Sequence, residues 1–178
     1  MKTLMNRYSL AWLGILLGIA VSIDSAAQVA QVPNPYYSRT DTNEIHVSNS
    51  EWKKILPEAL YLVAREGATE QAFTGAYTDF DGVGTYYCAV CGNELFRSTA
   101  KFASTCGWPS FYEPLRDHSV IYKDDYSHNM HRIEVRCGRC DSHLGHVFDD
   151  GPVTGKRYCM NSVSLDFEPD QKQLIFKK

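Results

Sequence analysis

Cys88-Ala89-Val90-Cys91-Gly92 and Cys137-Gly138-Arg139-Cys140 are the stretches that decide the fold of this 178-residue chain. Each is a Cys-x-x-Cys hook, a short turn on which two thiolates converge, and residues 92–136 supply the domain between them. Two such hooks meet the needs of a tetrahedral zinc site with Cys88, Cys91, Cys137 and Cys140 as ligands. Four thiolates leave no position for water, so the metal expected is structural, one Zn2+ per chain. One competing reading is a disulfide framework, for which six cysteines allow 15 pairings. Another is a thioredoxin-like redox pair in one hook, which wants a helix directly after it, and neither hook has a clear one.

Two cysteines remain outside the hooks. Cys159 lies in the strand-like Arg157-Tyr158-Cys159-Met160-Asn161-Ser162, with Arg157 and Asn161 each two positions away and so on its side of the strand. A cation there favours the thiolate, and His143 and His146 can bring imidazoles for acid–base work. Cys106 sits in a turn-rich stretch next to Trp108 and Phe111, aromatics that suggest an apolar pocket for a small methyl-bearing group. The bland readings are a buried hydrophobe for Cys159 and an aromatic core cluster for Trp108 and Phe111. His128 and His131 precede a strand, at a pocket rim or facing solvent.

Around these residues the chain reads as short strands between Gly- and Asp-rich turns. Candidates are 86–90, 94–96, 119–123, 131–136, 146–148, 157–161, 163–167 and 173–176, which together make a mainly antiparallel β domain. Before them, Asn49 or Ser50 can cap a helix near Glu51 that buries Trp52, Ile55 and Leu56. Pro57-Glu58 opens a second helix that stops at Gly67.

The first 27 residues read as an export signal: Lys2 and Arg7, an apolar run from Leu10 to Val21, then Ser25-Ala26-Ala27 for cleavage. Cleavage after Ala30 and an uncleaved membrane anchor are the alternatives. The remaining 151 residues suit one domain with a hydrophobic core. Lys2, Arg7 and Asp24 go with the leader, leaving 16 basic and 20 acidic groups, a balance that gives no reason to invoke nucleic acid. Residues 28–48 read as a polar, mobile arm on which Tyr36-Tyr37 can dock, and 49–178 as the functional domain. Export to a periplasm is expected, with secretion as the alternative.

From Trp52 to Phe167 the chain resembles the B-type peptide methionine sulfoxide reductases. The resemblance rests on Phe73-Thr74-Gly75, the two hooks, Cys106-Gly107-Trp108-Pro109-Ser110-Phe111 and Arg132-Ile133-Glu134. It also rests on His143-Leu144-Gly145-His146-Val147-Phe148, Asp150-Gly151-Pro152 and Arg157-Tyr158-Cys159-Met160-Asn161-Ser162. It implies two antiparallel sheets in a barrel-like domain, a structural zinc, and reduction of methionine-R-sulfoxide in peptides or oxidised proteins. Carried over by position, Cys159 is the attacking cysteine and Cys106 the resolving one. His143, His146 and Asn161 bind and protonate the sulfoxide oxygen, and Arg157 tunes the nucleophile. Trp108, with Phe111, His128 and Phe148, forms the substrate pocket. A thioredoxin-like donor recycles the enzyme, which is expected to be a monomer. Asn129 and Asp149 stand where the family commonly has Gly and Pro, turn-compatible changes expected to alter the pocket rim. Two other functions compete: a zinc-stabilised β module that only binds a partner, and general disulfide exchange on protein thiols.

Overall fold

A computed structural model describes residues 33–171. The leader read in 1–27 and the strand expected at 173–176 lie outside the described residues. No described helix is long and apolar enough to cross a membrane.

Two short helices come first, α1 (Asn49–Ile55) and α2 (Glu58–Glu66). The cap of α1 is Ser48, one residue before the expected start: its Oγ accepts from the Glu51 N–H, satisfying an otherwise orphaned donor. Pro57 ends the first helix and opens the second, which stops at Gly67 as its sequence predicts. Trp52 is fully buried, edge-on to Tyr36 at 5.1 Å.

The strands are β1 (Gly84–Cys88), β2 (Glu94–Arg97), β3 (Lys101–Phe102), β4 (Ser110–Phe111), β5 (Val120–Asp125), β6 (Arg132–Cys137), β7 (His143–Phe148), β8 (Arg157–Met160) and β9 (Leu165–Pro169). They form two antiparallel sheets, a small one of order β2-β1-β9 and a large one of order β3-β4-β8-β7-β6-β5. Both orders are linear, so among the described residues neither sheet closes. The expectation of a mainly-β domain of two antiparallel sheets with small N-terminal helices holds.

Aromatic side chains join the sheets. Phe96 of β2 stacks on Phe111 of β4 with centroids 4.4 Å apart, and Tyr86 of β1 meets Phe111 edge-on at 5.0 Å. All three are fully buried, and each such side chain contributes about 1.5–3 kcal/mol through burial.

The segment 33–48, expected to be mobile, is instead held against the cysteine hooks. Its anchor is Arg139, whose side chain is 3 % exposed and pairs with Asp41 at 2.8 Å. The guanidinium also donates to the carbonyls of Ser38, Asn43 and Cys91. Main-chain bonds from Ser38 N–H to Cys91 and from Ile45 N–H to Arg139 complete the strap. A buried guanidinium needs its donors matched, and this arm supplies the acceptors.

Candidate active site and metal centre

Register in the large sheet determines which side chains meet. Ser110 pairs with Cys159 and Phe111 with Tyr158 across β4 and β8, and Cys159 pairs with His146 across β8 and β7. Directly opposed residues share a face, and neighbours along a strand alternate. Ser110, Cys159, His146 and, one strand on, Glu134 therefore line one face. Phe111, Tyr158, Met160 and Val135 line the other, in the core. Between β7 and β6 the register slips: Val135 opposes Gly145 but Arg136 opposes His143, leaving Leu144 as an extra residue. This bulge reverses the alternation and turns His143 to the face of His146. Their rings stand edge-on, 5.5 Å apart.

Cys106 arrives from the loop before β4, with its Sγ 3.2 Å from that of Cys159. Its sulfur also lies 3.3 Å from Ser110 Oγ. Neither cysteine is bridged. Burial pushes the Cys159 thiol far above its ordinary value, Cys106 beside it adds to the rise, and Arg157 pulls weakly the other way. Burial also works against ionisation of Cys106, but hydrogen bonds with Ser104, Ser110 and Cys159 outweigh it and hold that thiol down at about 7. Of the two thiols, Cys106 is therefore the more readily ionised.

Cys159 opens into a cleft of about 90 Å³ lined by Thr69, Trp108, Arg132, His146, Phe148 and Asn161. That space takes the end of one side chain, with aromatic walls beside the sulfur. A larger groove of about 380 Å³, between 78–82 and 98–104, contains neither cysteine. His146 Nε2 lies 2.7 Å from Asp125 Oδ2. A carboxylate only accepts, so Nε2 carries the hydrogen and Nδ1 is the nitrogen that gains or loses a proton. Burial lowers the His146 pKa, and Asp125 offsets part of that. Asp125 is itself held well below the usual carboxylate range by Ser127, then by His146 and Arg132.

Several expected site residues sit elsewhere or are otherwise engaged. Phe111 is 0 % exposed in the core because its register partner is Tyr158, so it does not touch the cleft. His128 is exposed in a left-handed turn conformation (φ 55°) and is absent from the cleft wall. Asn129 and Asp149 likewise stay outside it. Arg157 makes a two-pronged pair with Asp150, both contacts 2.8 Å, and stacks over Phe148 at 4.5 Å. Its charge favours a Cys159 thiolate, but burial outweighs it. Asn161 lines the cleft with its amide already engaged, Nδ2 donating to the Leu144 carbonyl and Oδ1 accepting from the Glu70 N–H, both at 3.0 Å. His143 is buried behind the cleft, its Nδ1 2.7 Å from Glu134, while its Nε2 finds no hydrogen-bond partner among the described residues.

The Phe111 assignment is directly testable. Phe111→Ala is expected to destabilise the fold by about 3–5 kcal/mol, seen as a lower melting temperature. The KM of the remaining folded enzyme should stay unchanged, whereas a raised KM would return Phe111 to the pocket.

Sequence reasoning missed Thr69, Glu70 and Asp125. Asp125 reaches His146, 21 residues on, and Glu70 reaches Val163, 93 residues on, and no local pattern marks an acid that acts at such range.

The hooks meet as expected. The Sγ atoms of Cys88, Cys91, Cys137 and Cys140 all lie within 4.8 Å of one another, and all four residues are buried. The closest cross-hook distances are 3.8 Å for Cys88–Cys140 and 3.6 Å for Cys91–Cys137. A tetrahedron with Zn–S bonds of about 2.3 Å has edges of about 3.8 Å, so the cage fits that ion. Hydrogen bonds among the four hold the Cys88 and Cys140 thiols well above their ordinary value and the Cys137 thiol well below it. Asn93 and the Arg139 N–H point donors at Cys137 Sγ, at 3.6 and 3.4 Å.

Comparison with known proteins gives a consistent result. The SelR domain family model matches residues 56–169. A probable methionine-R-sulfoxide reductase B of Caenorhabditis elegans is 50% identical over 133 residues, 73% of this chain and 88% of that protein. A peptide methionine sulfoxide reductase MsrB of Chromohalobacter salexigens is 52% identical over 132 residues, 73% of this chain and 99% of that protein. One from a Synechococcus species is 50% identical over 131 residues, 73% and 96% of the two chains.

Proposed function

The chain belongs to the SelR-domain family of methionine-R-sulfoxide reductases and carries out thiol-dependent reduction of methionine-R-sulfoxide, and on that premise we propose that Cys159 is the attacking cysteine and Cys106 its resolver. The observation that carries this assignment is the 3.2 Å approach of the two sulfurs at the mouth of an aromatic cleft, with Cys159 facing into it. The purely binding module has no comparable observation in its favour.

The reaction then follows from the geometry. The sulfoxide's methyl group rests against Trp108 and Phe148, bringing its sulfur to Cys159. Attack requires the Cys159 proton to leave, and the Arg157 charge beside it favours the thiolate that remains. As the Cys159–sulfur bond forms, His146 protonates the sulfoxide oxygen, which is otherwise a poor leaving group. The oxygen ends on Cys159 as a sulfenic acid and the thioether departs as methionine. Cys106 gives its proton to the sulfenic hydroxyl and, as a thiolate, attacks the oxidised sulfur. The S–O bond breaks, the protonated oxygen leaves as water, and a disulfide forms. A thioredoxin-like dithiol regenerates both cysteines by exchange and becomes a disulfide itself.

The four-cysteine cage would hold one Zn2+, whose contribution is to clamp the segments entering β2 and leaving β6. The substrates are oxidised proteins and peptides, and the enzyme acts as a monomer. Residues 1–27 are an export signal to the periplasm. Mass spectrometry of the protein from that compartment should find a chain beginning at Gln28, whereas an intact Met1 there would refute cleavage.

A pH profile tests the acid. Protonated His146 is the donor, so kcat/KM falls as pH rises through its pKa. Asp125 raises that pKa. Asp125→Asn should therefore move the alkaline limb to lower pH, by roughly one unit for loss of a close opposite charge. An unmoved limb would assign the proton to another group.

A further inference from the structure

Glu70 uses all its polar atoms on the two segments that carry the redox cysteines. Its carboxylate accepts from the Ser162 N–H at 2.5 Å and the Val163 N–H at 3.0 Å, just beyond Cys159. Its N–H donates to Asn161 Oδ1 at 3.0 Å, and its carbonyl accepts from Trp108 Nε1 at 3.2 Å, two residues past Cys106. The residues that follow strengthen both attachments. Phe73 N–H donates to the Gly107 carbonyl at 2.7 Å, and Tyr77 N–H to Ser162 Oγ at 3.2 Å.

The fit leaves no slack. A Cβ on Gly75 would stand 2.3 Å from Ser162 Oγ and 2.7 Å from Glu70 Oε1, and one on Gly107 would stand 2.7 Å from the Ala72 Cβ. Phe73 takes a left-handed φ of 65° to make its bond, a cost that persists only where surrounding contacts over-determine it.

We propose that Glu70 is a positioning residue for the resolving step, clamping the Cys106 loop to the Cys159–Val163 segment so that the two sulfurs stay within bonding reach. This rests on the assignment of Cys159 as nucleophile and Cys106 as resolver. In that step the Cys106 thiolate attacks the Cys159 sulfenic acid, the sulfur–sulfur bond forms, and the oxygen leaves as water. Attack on the sulfoxide needs only Cys159 and its cleft. Closure needs two separate segments in register, and it is the step that a loosened clamp slows.

The test is a single turnover of the full, reduced chain with a methionine-R-sulfoxide peptide and no external reductant, with dimedone as the sulfenic-acid trap. The unaltered chain should form one methionine per chain and close its disulfide with little trapping. Glu70→Ala should form methionine at a rate within about threefold of normal. Its disulfide should close roughly tenfold to a hundredfold more slowly, as small misplacements of reacting groups cost, with the dimedone adduct accumulating on Cys159. Glu70→Gln keeps one acceptor oxygen and should recover most of the closure rate; if Glu70→Ala does not fold, its smaller, closure-confined slowing carries the test. A folded Glu70→Ala that closes at the normal rate overturns the proposal, as does an equal slowing of both steps. No methionine from the unaltered chain would instead remove the catalytic assignment on which the proposal stands.

Discussion

Cys159→Ser is expected to abolish methionine-R-sulfoxide reduction, with kcat falling about a thousandfold or more, because a hydroxyl of ordinary acidity replaces the one thiol that lines the cleft among the described residues. Turnover of the R epimer of a methionine sulfoxide peptide with a small dithiol measures this. Cys106→Ser separates the roles. It removes the charge that contributes to raising Cys159 and leaves the cleft intact, so turnover with the small dithiol persists. Turnover with a thioredoxin-like donor collapses, since no intramolecular disulfide forms for the donor to attack. A Cys159→Ser protein that keeps the activity, or a Cys106→Ser protein that loses it with the dithiol, would exchange the two assignments.

The second large effect is on stability. Cys140→Ser removes one of four buried sulfurs that stand at tetrahedral spacing. Three remaining thiolates hold the ion poorly, and without it they leave buried negative charge uncompensated. Binding a structural zinc contributes on the order of 10 kcal/mol to such folds. Losing even about half of that lowers the melting temperature by roughly 10–20 °C for a domain of this size. Paired measurements of bound metal and melting temperature check this. A strong chelator should produce the same fall in the unaltered chain. A metal-free variant that melts at the normal temperature would mean that the cage closes without an ion.

The parts of this design that were legible in the sequence are those with short-range grammar. Two Cys-x-x-Cys turns announce a cage because the ligands within each hook are near neighbours. Pro57 and Gly67 bracket a helix by backbone geometry alone. Trp108, His146 and the cysteine pair could be named from residue type and from the family they resemble. What stayed hidden depends on register. Phe111 stands three residues from Trp108, yet it faces the core because β4 aligns it with Tyr158. His143 and His146 share a face only because of the extra residue at Leu144, and a bulge leaves no mark in a six-residue stretch. Glu70 and Asp125 are two of 21 acidic residues, and only their distant partners distinguish them.

Arg139 gives the family-matched region a dependence on what precedes it. Its guanidinium is buried against the carbonyls of Ser38 and Asn43 and the carboxylate of Asp41, all upstream of residue 56, where the family match begins. A chain trimmed to that match would carry an unanswered charge next to its metal cage. The edge of the matched domain and the edge of what the buried guanidinium needs thus fall at different residues. Any graft, fusion or swap between relatives has to carry the arm and Arg139 together.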